Sequence, residues 1–267
     1  MRHLRSLHRY AIPVLAPLMF LAACSSGDGG TPSAGKADPS AKGGPGPDTA
    51  SPTPVVDADP ARLPRDSETA LDLIGKVIAD PDSFGPGVVR RRPYESGPAT
   101  WPVLGADCVW HQEKPARNVL ATLSRSFEVP AAQGKGPVRL SAVVTVHRTR
   151  EDAQWEMAES LEETMRCPTQ QLQEGEKIGS MVSGVLTGGE GGQSTAEDML
   201  TETGEFTSTE LGGPHVYDWQ QAQSLQFTVA ATGKGAEGRT GQEISDLVAQ
   251  GLATMLVRIG SAVEKQS

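Results

Sequence analysis

The sequence predicts an α+β fold: a central, mostly antiparallel sheet packed by amphipathic helices and held by one disulfide. Three observations point there. Two neighbouring stretches alternate apolar and polar residues, and three others place apolar residues at helical spacing. The two kinds follow one another as α, β-rich, α, β-rich, α, with no internal repeat.

The first helix is expected over residues 66–79, where Asp66 or Ser67 can cap it and Ala70, Leu73, Ile74, Val77 and Ile78 share a face. "DPDSFGPG" then stops it with turn residues. A short strand is expected over residues 108–112. In "NVLATLSRSFEV", Val119, Ala121, Leu123, Phe127 and Val129 fall on one side, with Arg125 the exception. "VRLSAVVTVHR" alternates more cleanly through Val138, Leu140, Ala142, Val144 and Val146, which leaves His147 on the face expected to meet solvent. The loop "PAAQGKGP" joins the two stretches as a hairpin.

A second helix is expected over residues 149–166, opened by Thr149 and Asp152 as a variant capping box. Its buried stripe is read as Ala153, Met157, Leu161 and Met165, joined by Ala158, with Trp155 and Met157 as core residues rather than a binding box. Shorter strands follow in "KIGSMVSGVL", "GEFTSTEL", "HVYDWQQ" and "SLQFTVAAT", with the loop "TGGEGGQS" after the first. The last helix, over residues 241–264, carries the strongest pattern. Thr240 and Glu243 form a capping box, and Ile244, Leu247, Val248, Gly251, Met255, Ile259 and Val263 line one side.

The N-terminus gives an address. Arg2, Arg5 and Arg9 form a basic region, and residues 11–23 an apolar stretch too short to span a bilayer. "LAAC" at residues 21–24 then places small residues before a cysteine, a pattern that resembles the bacterial lipobox. Residues 1–23 are therefore expected to be a lipoprotein signal peptide. Cys24 would be the lipidated first residue of the mature chain, on the outer face of the cell membrane. An ordinary secretory signal with a chance cysteine is the alternative. One acyl chain such as palmitate anchors marginally, at about 0.8 kcal/mol per buried methylene, whereas two or three hold firmly. Residues 24–65 are rich in Gly, Pro, Ser, Thr, Ala and Asp and read as a disordered tether spanning roughly 35 Å root-mean-square. The extracytoplasmic domain is expected over residues 66–267.

Composition and cysteine count exclude further classes. Removing Arg2, Arg5 and Arg9 from the 24 basic residues leaves 21 against 33 acidic ones, a balance of −12, so a nucleic-acid partner is not expected. Arg90, Arg91 and Arg92 are the one basic cluster and read as a solvated loop. Cys108 and Cys167 are the thiols left after lipidation, and in an oxidising compartment they most simply form one intramolecular disulfide. Closing a loop of about 60 residues would stabilise by roughly 4 kcal/mol in the chain-entropy model. The alternative is zinc, with Cys108 and His111 in a C-x-x-H spacing and His147, Cys167 and His215 completing a set. A strand, however, would point Cys108 and His111 to opposite faces.

Catalytic signatures are missing: there is no G-x-S-x-G elbow, no H-E-x-x-H and no phosphate loop. The acidic residues from Glu190 to Glu210 lack the spacing of a calcium loop and read as a solvated face. No enzyme, cofactor or metal is expected. Trp110, Tyr217 and Trp219 are the candidates for stacking on a glycan or lipid, with burial in the core as the alternative.

The segments "CVWHQ", "VRLSAVVTVHRTREDAQWEMAESLEETMRC" and "LQFTVAAT…ISDLVAQGLATMLVRI" give the chain its family likeness. It resembles actinobacterial lipoproteins related to the extracellular sensor domain of the mycobacterial kinase PknH. That resemblance implies an α+β domain with a central antiparallel sheet, a disulfide-held helix and a ligand cleft. It departs from the pattern in having one cysteine pair where that domain has two disulfides, no kinase domain, and its tryptophan at Trp155 rather than close before the second cysteine. The function so implied is a sensor-like domain binding an envelope ligand or protein partner. The alternatives are a surface scaffold without a pocket, or an enzyme acting on envelope polymers.

Overall fold

The computed structural model describes residues 56–187 and 196–265. The lipobox with Cys24, the tether as far as residue 55 and most of the loop "TGGEGGQS" lie outside the described residues. In chain order the elements are α1 (Ser67–Val77), a 3-10 turn (Pro81–Phe84), β1 (Val89–Glu95), β2 (Trp101–Leu104), β3 (Trp110–Glu113), β4 (Val119–Val129) and β5 (Val138–His147). There follow α2 (Arg150–Arg166), β6 (Gln170–Gln173), β7 (Glu176–Thr187), β8 (Asp198–Ser208), β9 (Gly212–Ser224), β10 (Phe227–Lys234) and α3 (Gly241–Val263).

Eight strands pair in the order β1-β4-β5-β10-β9-β8-β7-β6, every pair antiparallel, while β2 and β3 form a separate hairpin. The fold is therefore α+β. Alternation puts Ala121, Leu123, Phe127, Leu140, Ala142, Val144, Val146, Phe227, Val229 and Ala231 on one face, all buried. Over that face lie α1 and α3, with Ile74, Val77, Ile244, Val248, Leu252, Met255 and Ile259 closing the core. Close approach of α3 depends on two glycines. A Cβ at Gly233 of β10 would stand 2.5 Å from Ile244, and one at Gly251 would stand 2.4 Å from the Phe84 ring. Among the described residues α3 is long and apolar enough to cross a membrane, but its apolar side is spent on this core.

Helix ends follow their side chains. Asp66 caps α1 by accepting from the Thr69 amide at 2.9 Å, and Thr149 and Asp152 make the expected reciprocal box at α2. Thr240 caps α3, but Glu243 turns away to pair with Lys135 and Arg239. Packing begins before residue 66: Val56, Ala58 and Leu63 lie against the core, and the Asp59 amide donates to Val263 O at 2.8 Å.

Several expectations change. Arg90, Arg91 and Arg92 belong to the edge strand β1, not to a loop, with Arg90 stacked on Tyr94 at 4.6 Å. Such charge on an outer strand discourages sheet-to-sheet pairing. Cys108 precedes β3 in a turn with φ of 61°, so the strand begins at Trp110. On α2, Met165 is 76% exposed and Trp155 60% exposed, whereas Thr164 is buried. A stripe spaced strictly by four drifts about 40° per step around a helix of 3.6 residues per turn. Three steps from Ala153 therefore carry Met165 about 120° out of the interface.

Candidate functional site

The second face of the sheet is polar yet covered. Thr122 of β4, Arg139, Thr145 and His147 of β5, Thr228 of β10, and Gln221 and Gln223 of β9 point to it, and all are buried. Helix α2 lies across this face, and the β2–β3 hairpin stands beside it. His147, expected in solvent, is 1% exposed because α2 covers it.

The disulfide fastens the hairpin. Cys108, in the turn before β3, joins Cys167 at the C-terminus of α2 with their Cα atoms 5.5 Å apart. The Gln171 amide donates to Cys108 O at 2.9 Å, and the Arg166 guanidinium donates to Gly105 O at 3.1 Å. Trp110 Nε1 donates to Gln170 Oε1 at 2.8 Å. With Cys108 and Cys167 bonded to each other, the zinc set loses both thiolates, and the described residues contain no cluster that could hold a metal.

A cleft of about 130 Å³ remains between hairpin, helix and sheet. Trp101, Trp110 and Trp219 line it, three of the four tryptophans in the chain. Its floor holds Thr122 and Thr145, whose hydroxyls pair at 3.2 Å, together with Gln221. Along its helical wall stand Glu156, Glu159 and Glu163, spaced by three and four residues and so on one face of α2.

These carboxylates differ in their surroundings. Glu156 is held: Oε2 accepts from the Thr228 hydroxyl at 2.8 Å and lies 2.6 Å from His147 Nε2, while Oε1 accepts from Gln221 Nε2 at 2.8 Å. Trp101 meets the edge of the His147 ring at 6.4 Å between centroids. The carboxylates of Glu159 and Glu163 have neither a salt-bridge partner nor a hydrogen-bond donor among the described residues. Burial pushes Glu163 up to about 7, helped by Glu159, Glu202 and Glu156 and opposed by Arg166. Glu159 is raised by burial and by its neighbours Glu156 and Glu162.

Of the three aromatic candidates, Trp110 and Trp219 meet at this cleft and Tyr217 does not. Tyr217 is 7% exposed and packs with Ile178, Met181 and Phe206 in a second, small core, where burial raises its hydroxyl pKa. Sequence reasoning missed Trp101, Gln221 and the three glutamates. The E-x-x-E-x-x-x-E spacing of Glu156, Glu159 and Glu163 was the available signal. The acidic segment is also less solvated than expected. Glu197 is buried, pairing with Arg150 at 2.6 Å and accepting from Gln223, and Glu202 is buried and accepts from the Ser183 hydroxyl.

No family model matches the chain, and no curated protein matches it. Among solved structures, the extracellular domain of PknH from Mycobacterium tuberculosis is similar at 12% sequence identity and a TM-score of 0.39. The match covers 73% of this chain and 93% of that one.

Proposed function

We infer that the chain is a lipid-anchored extracytoplasmic lipoprotein whose α+β head is a non-catalytic, sensor-like binding domain. The membrane is its first partner, through lipid on Cys24, and the second is a ligand of the cell envelope seated in the α2 cleft. One observation carries the binding reading: three of four tryptophans converge on a cleft floored by the buried polar residues Thr122, Thr145 and Gln221. Apolar walls with a few fixed polar groups are the usual make-up of a ligand site. Trp110 and Trp219 are the stacking residues of this reading, and Tyr217, on the same face of β9, belongs to the small core against which Trp219 also packs.

Two measurements test it. Fractions of the host's own envelope should raise the melting temperature of the full chain and leave Trp219→Ala unmoved; no shift with any fraction would sink the binding reading. Cys24→Ser should release the chain from the membrane, and retention would sink the anchor. The scaffold alternative draws on one feature, the exposed Trp155 and Met165 on α2. It requires a single dominant protein crosslink that Trp155→Ala abolishes.

A further inference from the structure

We propose that the α2 cleft recognises a protonated primary or secondary amine, with the ammonium among Glu159, Glu163 and Gln221 and its carbon body against the tryptophans. The inference rests on the cleft being a binding site and adds the chemistry of what fills it. Its first support is the hydrogen-bond inventory. Gln221 is 3% exposed and lines the cleft, and its Oε1 is buried with no partner. The orientation of this amide is fixed, because Nε2 donates to the Glu156 carboxylate; turned over, two oxygens would face each other. The cleft thus offers an unfilled amide oxygen and, when ionised, two unfilled carboxylates, all acceptors. A ligand that completes them must donate, and an ammonium donates in two or three directions.

Charge gives the second support. Glu156 has its hydrogen-bond partners in place in His147, Thr228 and Gln221, whereas Glu159 and Glu163 repel each other with no salt bridge to either, and Arg166 only partly offsets the charge. The charged groups facing Glu163 are Arg166, Glu159 and Glu156 on α2 itself, Glu202 of β8 and, beside Glu156, His147 of β5. Arg166 is tied to the backbone at Leu104 and Gly105 rather than to Glu163. An entering cation relieves that repulsion, and it would meet the rings of Trp101, Trp110 and Trp219 that line the cleft, which attract a cation placed over a ring face.

Size gives the third. At about 130 Å³ the cleft is well below the roughly 300–1,000 Å³ of sites that enclose a drug-sized molecule, so it suits a compact head group. Two sources of such a group are separable by experiment, a free diamine and the amine of a lipid head group.

Calorimetry on the full chain in detergent tests this with putrescine and ethanolamine against their neutral counterparts, 1,4-butanediol and ethylene glycol, and against glucose. The expected result is saturable binding of an amine and none of its neutral counterpart. Putrescine alone would point to a free diamine, and ethanolamine alone to a lipid head group. Glu163→Gln should weaken that binding about tenfold or more while keeping a cooperative melt, and Trp155→Ala, outside the cleft, should leave it unchanged. Because the cation favours ionised Glu163, affinity should be about tenfold lower at pH 6 than at pH 8, and Glu163→Gln should flatten that profile. Glucose binding lost in Trp219→Ala, with no amine binding, would overturn the amine inference and leave the cleft a site. Absence of binding by both amines, or equal binding of a diol, overturns it as well.

Discussion

On one side of β4, β5 and β10, alternate residues are apolar and buried, from Leu123 and Val144 to Val229. On the other side the same three strands present Thr122, Thr145 and Thr228, equally buried but under α2. The first face meets α1 and α3 through hydrocarbon, which is non-directional and tolerant of detail. The second meets α2 through hydrogen bonds, among them Glu156 to His147, Thr228 and Gln221. Polar contacts add little net stability when satisfied and cost most when one partner is missing. A face built that way is a poor means of holding a protein together and a good means of fixing side chains around a cleft.

Substitutions should therefore separate the faces by size of effect. Phe127→Ala, at a fully buried ring of the apolar face, should cost about 3–5 kcal/mol in chemical denaturation. The double change Cys108→Ser with Cys167→Ser should cost about 2–4 kcal/mol, with cleft binding lost in conditions where the sheet is still folded. A loss of binding only on global unfolding would show that the hairpin does not depend on the bridge.

Glu163→Gln should go the other way. In the folded chain burial holds this carboxyl up to about 7, above the ordinary 4.5 of a glutamate. Between those values the folded state binds more protons than the unfolded one, so stability falls as pH rises through the interval. Above pH 7 the substitution should stabilise the chain by about 1–2 kcal/mol, allowing for screening by solvent, or roughly 2–8 °C in melting temperature. Near pH 4 it should change little. A stabilisation independent of pH would assign the effect to packing instead. Smallest of all, Trp155→Ala should stay within about 0.5 kcal/mol, since the ring is exposed.

The same contrast governs what could be read in the sequence. Strands β4, β5 and β10 and helices α1 and α3 were legible because hydrocarbon burial writes period two or period 3.6 directly into residue type. The Cys108–Cys167 bond was legible from the cysteine count, given the export signal expected at the N-terminus. Strands β1, β2 and β6 left no such trace: "RRRPY", "WPVL" and "QQLQ" lie at an edge or in the small hairpin and bury little in alternation. The covered polar face was illegible for a related reason. Its outward-looking threonines and glutamines have the pattern of a solvated strand, and only α2, arriving from further along the chain, makes them buried. Trp110 and Trp219 were named from residue type alone; their meeting, and the displacement of Tyr217 into the second core, belong to tertiary structure.

The central claim is that the polar face exists to hold a ligand. Native mass spectrometry of the full chain, taken gently from its host's membrane, tests it most directly. The expected result is a discrete mass beyond the lipidated polypeptide that leaves on denaturation and is missing from Trp219→Ala. A chain that carries its lipid and nothing else, identical in mass shift to Trp219→Ala under every extraction, would contradict it.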